Sequence, residues 1–115
     1  MSWMLLIVEA RGQRTARSLQ EGRDLYQRML DYGEHLRAQG LLLASNSLGE
    51  AATRVQRRGG KPQVVDGPFT ESKEFVGGFY LLDCQSREQA LQIAAACPAV
   101  EWASVEVREV APCYE

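Results

Sequence analysis

Histidine and closely spaced cysteines are almost absent from this sequence. It contains one histidine, His35, and three cysteines, at positions 84, 97 and 113, with no C-x-x-C spacing. A structural zinc site uses about four such ligands, and an odd number of cysteines does not make a disulfide framework. We therefore predict no metal and no other cofactor. Free thiols indicate a reducing compartment, so the predicted location is the cytoplasm.

The sequence also lacks an excess of positive charge and a long apolar run. Its net charge is −2, from 13 basic and 15 acidic residues. Phosphate binding needs a basic face, which this balance does not favour. The N-terminal apolar run is closed by Glu9, and no basic residue precedes it, so it is neither a signal peptide nor a membrane span. We predict neither nucleic acid nor a membrane as a partner.

Alternating strand and helix patterns fill the chain, which we predict to be one domain over residues 1–115. Capping boxes at Ser18 and Ser86 predict the starts of two amphipathic helices, which Gly40 and Pro98 end. The polar residues between the first strand and the first helix are predicted to form a loop. The predicted strands cover residues 3–10, 41–48, 74–84 and 104–110, with a hairpin at 52–66 that turns at Gly59-Gly60.

This order of elements gives an α+β fold class, a ferredoxin-like β-α-β-β-α-β unit with an inserted hairpin. In that fold both helices cover one face of the sheet and the other face is bare. Three predicted strands, at residues 3–8, 41–44 and 79–82, are apolar on both faces. A monomer would expose a large apolar patch, so we predict a homodimer that packs sheet against sheet. The alternative is that these are central strands of a larger core.

Several motifs together resemble one protein family. The run DGPFTESKEFVGGFYLLD, at residues 66–83, resembles the signature of the DGPF proteins, a branch of the YCII-related family. The opening WMLLIVE, the CPAV after the second helix and the closing VEVREV resemble the same family. The resemblance covers nearly the whole chain. It implies a dimeric α/β barrel built from two ferredoxin-like subunits, and it implies no known activity.

The same resemblance suggests partners and chemistry to consider. Genes for DGPF proteins often lie near those for extracytoplasmic-function sigma factors. Some YCII relatives are thought to use a His-Asp pair, and one branch is a lyase that acts on chlorinated aromatic rings. Here His35-Leu36 matches the His element, but Cys97 precedes Pro98 where those relatives have Asp. A histidine without that carboxylate lacks the group that orients it, so we expect any activity to use other residues.

The segment that begins at Asp66 supplies such residues. Its Asp-Gly-Pro start is typical of a stiff turn. In an extended chain Glu71 and Lys73 would share a side and pair, whereas in a helical turn Glu71 and Glu74 would meet. Two carboxyls held together raise the pKa of one of them, which makes a general acid at neutral pH. Two hypotheses stay open for this segment, a structural clasp and a ligand-facing site.

Three features near this segment also have two interpretations. Gly77 and Gly78 interrupt a strand, which indicates a β-bulge, a closely packed strand or a ligand against the backbone. Tyr80 follows, and its hydroxyl either faces a cleft or is satisfied in the core. His35 lies on the flank of its helix, where it faces either a cleft or solvent.

The leading functional prediction is a homodimer that binds a small ligand in the cleft between sheet and helix. One alternative is a cofactor-independent lyase or isomerase with a carboxylate as proton shuttle. The other is an accessory protein that contacts a sigma factor through a basic hairpin, Arg54, Arg57, Arg58 and Lys61. The predicted ligand-binding residues are Asp66, Glu71, Lys73, Glu74 and Tyr80, and the candidate catalytic residues are Asp66, Glu71, Glu74 and His35.

Overall fold

The computed structural model describes residues 2–69 and 71–115. Six strands are formed, β1 Ser2–Ala10, β2 Leu42–Ser47, β3 Thr53–Arg58, β4 Lys61–Asp66, β5 Glu74–Asp83 and β6 Ser104–Glu109. The α-helices are α1 Gln13–Ala16, α2 Leu19–Ala38 and α3 Arg87–Ala96, and a 3₁₀ helix, Pro98–Glu101, follows the last of them.

Four strands form one antiparallel sheet in the order β2-β5-β1-β6. With the β3-β4 hairpin set aside, this order and the two long helices are consistent with a ferredoxin-like fold. The predicted mixed α+β architecture is therefore confirmed. Over the described residues the sheet stays open, so the single chain forms no closed barrel.

The two predicted capping residues start the two long helices. The Ser18 hydroxyl accepts a hydrogen bond from the Glu21 N–H at 3.1 Å, and the Ser86 hydroxyl accepts one from the Gln89 N–H at 3.1 Å. These bonds satisfy N–H groups that have no partner within the first turn. The helix starts read from the sequence are confirmed.

The polar segment after β1 is where the sequence prediction was wrong, because α1 replaces the expected loop. The short helix buries no residue, and two side-chain hydrogen bonds stabilise it. The Thr15 hydroxyl donates to the Gly12 carbonyl at 3.1 Å, and the Gln13 amide donates to the Trp102 carbonyl at 2.7 Å. Hydrophobic periodicity cannot reveal a single helical turn that has no apolar stripe.

The core lies between the helices and one face of the four-stranded sheet. Along β1 the side chains alternate, so that Trp3, Leu5 and Ile7 are buried while Met4 and Leu6 are only partly buried on the other face. Strand geometry explains this, since successive side chains point to opposite faces. The buried cluster also contains Leu36, Leu42, Tyr80, Leu82, Cys84, Ala90, Ile93, Ala94, Cys97 and Ala99.

The hairpin forms a separate two-stranded sheet, and every residue of β3 and β4 is exposed. Its turn is at Gly59 and Gly60, whose φ angles are 57° and 77°. Positive φ at both central residues is what a two-residue hairpin turn requires, and glycine adopts it without strain. The predicted turn is confirmed.

None of the helices in the described part of the chain is long and apolar enough to cross a membrane.

Candidate functional site: the cleft between helix α2 and the sheet

A cavity of about 350 Å³ lies between α2 and the core face of the sheet. This volume is at the small end of the range for small-molecule sites. Strands β1, β2 and β5 form its floor, and α2 forms its roof. Its lining residues are Ile7, Glu9, Arg14, Arg17, Gly22, Leu25, Tyr26, Met29, Leu30, Ser45, Asn46, Ser47, Gly77, Gly78, Phe79, Tyr80 and Trp102.

Glu9 and Arg14 form an ion pair that lines this cavity, in which the carboxylate is buried and the arginine is partly exposed. Glu9 is only 5% exposed, because it occupies the next core-facing position of β1 after Ile7. Arg14 binds its carboxylate in a bidentate manner, with Nε 3.0 Å from Oε1 and Nη2 2.6 Å from Oε2. A buried charge needs a partner with good geometry, and the arginine fork supplies it.

Arg14 also connects the end of β2 to β5. Its Nη1 donates to the Leu48 carbonyl at 2.7 Å, and its Nη2 donates to the Gly77 carbonyl at 3.2 Å. The guanidinium carbon lies 5.0 Å from the centre of the Phe75 ring. The hydrogen bond with Glu9 raises the pKa of Arg14, although partial burial opposes the rise. All three guanidinium nitrogens of Arg14 are therefore already engaged by protein groups.

Gly77 makes room for this ion pair. It is the extra residue of a β-bulge, since Ile7 pairs with Gly78 and Val8 pairs with Val76. A Cβ on Gly77 would lie 1.7 Å from Glu9 Oε2 and 2.7 Å from Arg14 Nη2. The missing side chain is thus needed for Glu9 and Arg14 to lie against the β5 backbone, in agreement with the bulge that the glycine pair indicates.

Arg17 is the second arginine of the cavity. It follows α1 directly, as its C-cap residue. Its Nη2 atom is buried, and no described residue accepts a hydrogen bond from it. A buried donor without a partner costs about 1–3 kcal/mol, and more when it is charged, so each such atom calls for an explanation. Among the described residues Trp3 Nε1 and Gln13 Oε1 are also buried without a partner, but Arg17 alone of the three carries a charge.

Tyr80, which lines the cavity, packs edge-to-face against Tyr32 of α2, with ring centroids 6.0 Å apart. The Tyr80 hydroxyl donates to the Met29 carbonyl at 2.6 Å, and the Tyr32 hydroxyl donates to the Ile93 carbonyl at 2.6 Å. Burial raises the pKa of Tyr32 to about 12 and raises the pKa of Tyr80 as well. Tyr80 lines the cavity, but its hydroxyl proton is donated to the backbone of α2.

The charged residues predicted for the cleft lie elsewhere. Asp66 is exposed at the end of β4, where its Oδ1 accepts from the Thr53 hydroxyl at 2.7 Å. Glu71 is exposed and forms an ion pair with Arg54 of β3 at 3.4 Å. A hydrogen bond from its own backbone N–H, together with Arg54, lowers the pKa of Glu71. This direction is opposite to the raised pKa that a general acid at Glu71 needs.

Lys73, Glu74 and His35 are also absent from the cavity lining. Lys73 and Glu74 are exposed, and Glu74 is the first residue of β5. His35 is exposed on α2 and stacks on Tyr32, with ring centroids 6.2 Å apart. Of the five predicted ligand-binding residues, the structure brings only Tyr80 to the cavity, and whether any of the five binds a ligand stays a prediction.

The sequence prediction did not include the three charged residues of the described lining, which are Glu9, Arg14 and Arg17. One signal was available for them. Alternation along β1 puts Glu9 on the same face as Leu5 and Ile7, and a carboxylate on a core face needs a cation nearby. The sequence places several arginines in the next segment, but only the fold selects Arg14 as the partner.

Metal binding has no support in the described residues, which contain no group of three or more His, Cys, Asp or Glu side chains that could hold an ion.

The sequence matches the family model of the YCII-related domain over residues 1–113. The chain belongs to the YCII-related family. A stretch of 44 residues, 38% of the chain, is 48% identical to an uncharacterised protein of Rhizobium meliloti (strain 1021). That match spans 36% of the Rhizobium protein, about a third of its length.

In this YCII-related domain the two positions that match the His-Asp pair of some relatives differ in environment. His35 is exposed, whereas Cys97 is fully buried at the end of α3. Burial raises the pKa of the Cys97 thiol, so this residue stays a neutral core group. The cleft that carries charge in this protein lies instead around Glu9, Arg14 and Arg17.

Proposed function

We propose that this YCII-related protein is a cytoplasmic homodimer of the DGPF branch that binds a small molecule in the cleft between α2 and the sheet. One observation carries the proposal: a cavity of about 350 Å³ with a mainly apolar lining contains a buried carboxylate, Glu9, that is paired with Arg14. Pockets of this kind, with few but fixed polar groups, are the usual form of small-molecule sites.

The construction of the pair supports a role in binding. The chain bends β5 into a bulge and omits a side chain at Gly77, which makes room for the buried Glu9 carboxylate and its partner Arg14. A buried ion pair is often no more stabilising than apolar residues of similar volume, so burial of these charges is weakly explained by stability alone. A fixed polar end in an apolar cleft would orient a bound molecule.

The direct test is a binding screen with a fragment set of neutral and charged aromatic and aliphatic compounds, followed by ligand-observed NMR. The blocking variant is Gly22→Leu. Gly22 lines the cavity from α2, and a Cβ there meets nothing within 4 Å, so a leucine enters the cleft without a backbone clash. We expect some fragments to bind the wild type and to lose binding in Gly22→Leu.

The matched control is Gly49→Leu, because Gly49 also has open space around its Cβ position but does not line the cavity. Its binding should equal that of the wild type. The proposal is wrong if no fragment binds, or if the fragments that bind do so equally well to Gly22→Leu.

The two alternative functions have weaker support from the contacts. For a lyase or isomerase, the carboxylate inside the cavity is Glu9, but both of its oxygens already accept from Arg14. For contact with a sigma factor, the basic hairpin is exposed, yet Arg54 is paired with Glu71 and Arg57 donates to the Gly60 carbonyl. Neither is preferred over ligand binding, and the sigma-factor role stays a prediction.

A further inference from the structure

The charges that line the cleft do not balance. Its only charged lining residues within the described chain are Glu9, Arg14 and Arg17, which carry a formal charge of +1. Glu9 and Arg14 neutralise each other at hydrogen-bond distance, so the surplus lies on Arg17. An arginine guanidinium stays protonated at any pH at which a protein is folded. An empty cleft therefore presents one unmatched positive charge.

The hydrogen bonds of the two arginines also point to Arg17. Arg14 donates from each of its nitrogens to Glu9, Leu48 or Gly77, which leaves one N–H, on Nη1, without an acceptor among the described residues. Arg17 Nη2 is buried and has no acceptor among the described residues. A guanidinium presents N–H groups in a planar fork that matches the two oxygens of a carboxylate.

We infer that the ligand of this cleft is a monoanionic carboxylic acid with an apolar body, whose carboxylate pairs with Arg17. The inference rests on the proposed function, since it names the ligand class of the same site. The apolar body would lie on Ile7, Leu25, Met29 and Phe79, which line the remainder of the cavity.

A phosphate ester fits this cleft less well than a carboxylate. A phosphomonoester carries about −1.5 to −2 charge at pH 7, which exceeds the single positive charge of the lining. The excess would be repelled by Glu9, which lies in the same cavity. A carboxylate carries one negative charge and leaves the cleft neutral.

The test uses matched probes that differ in charge and hardly in shape: 2-naphthoate with 2-naphthamide, and octanoate with octanamide. Naphthyl phosphate is the third class. Dissociation constants are measured for the wild type, Arg17→Gln and Arg17→Lys, with Arg87→Gln as the control. Arg87 is exposed at the start of α3 and does not line the cavity. Thermal unfolding of each variant shows that it is folded, which we expect for Arg17→Gln because its side chain donates no observed hydrogen bond from Nη2.

We expect the wild type to bind each acid at least about tenfold more tightly than its amide, as loss of one charge-assisted hydrogen bond requires. Arg17→Gln should remove this preference by weakening the acid and leaving the amide unchanged. Arg17→Lys should restore part of it, since the charge remains without the fork, and Arg87→Gln should match the wild type.

Several results would overturn the inference. Equal binding of acid and amide, or an acid affinity that Arg17→Gln does not change, refutes the carboxylate class but leaves the proposed function intact, since binding still occurs. Tighter binding of naphthyl phosphate refutes it too. If no probe binds, the inference is wrong, and the fragment screen with Gly22→Leu then decides separately whether the cleft binds any small molecule.

Discussion

Gly77 is the extra residue of the bulge in β5, and it lies against the buried carboxylate of Glu9. It has no Cβ, and the space that a Cβ would fill is occupied by the carboxylate of Glu9. The carboxylate cannot simply move away, because Arg14 holds both of its oxygens. The strand therefore accepts the cost of a glycine, about 0.5–1 kcal/mol relative to alanine, in order to keep the ion pair.

Gly77→Ala should destabilise the protein by about 3 kcal/mol, because the new methyl group forces the buried pair apart or displaces β5. Chemical unfolding with denaturant measures this loss. Gly22→Ala is the control, since a Cβ at this helical position meets nothing within 4 Å. It should raise the free energy of unfolding by up to about 1 kcal/mol. Equal effects of the two alanines would contradict the role assigned to Gly77.

The buried tyrosines predict how stability depends on pH. The folded state raises the pKa of Tyr32 from its ordinary 10.0 to about 12, so folding holds this proton more tightly than the unfolded chain does. The contribution is fully present below about pH 10, and it is lost as the pH rises toward 12. The free energy of unfolding should therefore fall over this window, and it should fall less steeply in Tyr32→Phe.

The measurement is a denaturant titration at several alkaline pH values, with tyrosinate absorbance followed in parallel. The difference between the absorbance titrations of wild type and Tyr32→Phe isolates the Tyr32 hydroxyl. Its midpoint should lie near 12, whereas a midpoint near 10.0 would show that burial does not hold this proton.

At the scale of elements, backbone and side-chain contacts connect the segment after the hairpin to its neighbours. The Gly67 N–H donates to the Ala52 carbonyl at 2.8 Å, and the Arg11 guanidinium donates to the Ser72 carbonyl at 2.6 Å. The guanidinium carbon of Arg54 lies over the Phe69 ring, 3.8 Å from the ring centre. These contacts connect the hairpin to the ends of β1 and β5, and whether the segment is a structural clasp or a ligand-facing site stays a prediction. A ligand-binding role of the segment is a separate prediction.

Phe69→Ala should loosen the hairpin without changing the four-stranded sheet. An exposed cation–π contact contributes about 0.5–1 kcal/mol, so amide hydrogen exchange in residues 53–66 should accelerate about two- to fivefold. Exchange in β1 should stay the same. Tyr114→Ala is the matched control, because it removes an aromatic ring that is 87% exposed. Acceleration in both sheets alike would show that Phe69 supports the whole fold rather than the hairpin.

At the scale of the whole molecule, the sheet has one covered and one open face. The open face carries apolar side chains, among them Met4 and Leu6 of β1 and Leu81 of β5, which pairs with Met4. The hairpin stands apart from this sheet, with Val55 and Val64 well exposed. An isolated two-stranded hairpin is only marginally stable in water. Both features support the proposed homodimer.

Leu81→Arg should weaken dimerisation at least about a hundredfold, because an isologous interface brings the two new charges close together in an apolar setting. Sedimentation equilibrium over a concentration series measures the change. Leu91→Arg is the control, since Leu91 is an exposed leucine of α3, on the helical side of the sheet. A wild type that stays monomeric at every concentration, or a Leu81→Arg variant that dimerises normally, would contradict the sheet-to-sheet dimer.

The sequence by itself determined the six strands, the two long helices and their order, but not the short helix α1. Local signals carried this information, since the caps at Ser18 and Ser86, the Gly59-Gly60 turn and the alternation along β1 act on neighbouring residues. The α+β architecture follows from that order. The glycine pair of β5 indicated a bulge, a closely packed strand or a ligand against the backbone, and the structure has a bulge at this point.

Only the tertiary structure decided which charges meet. Glu9 and Arg14 belong to adjacent elements, but their pairing depends on the Gly77 bulge, which lies 63 residues from Arg14 in the chain. Arg17 differs from other arginines only because the fold buries its Nη2 atom beside the cleft. Local patterns pointed to the closely spaced charges at residues 66–74. The fold instead removes Glu9 and Arg17 Nη2 from solvent, and no local pattern shows which charges will be buried.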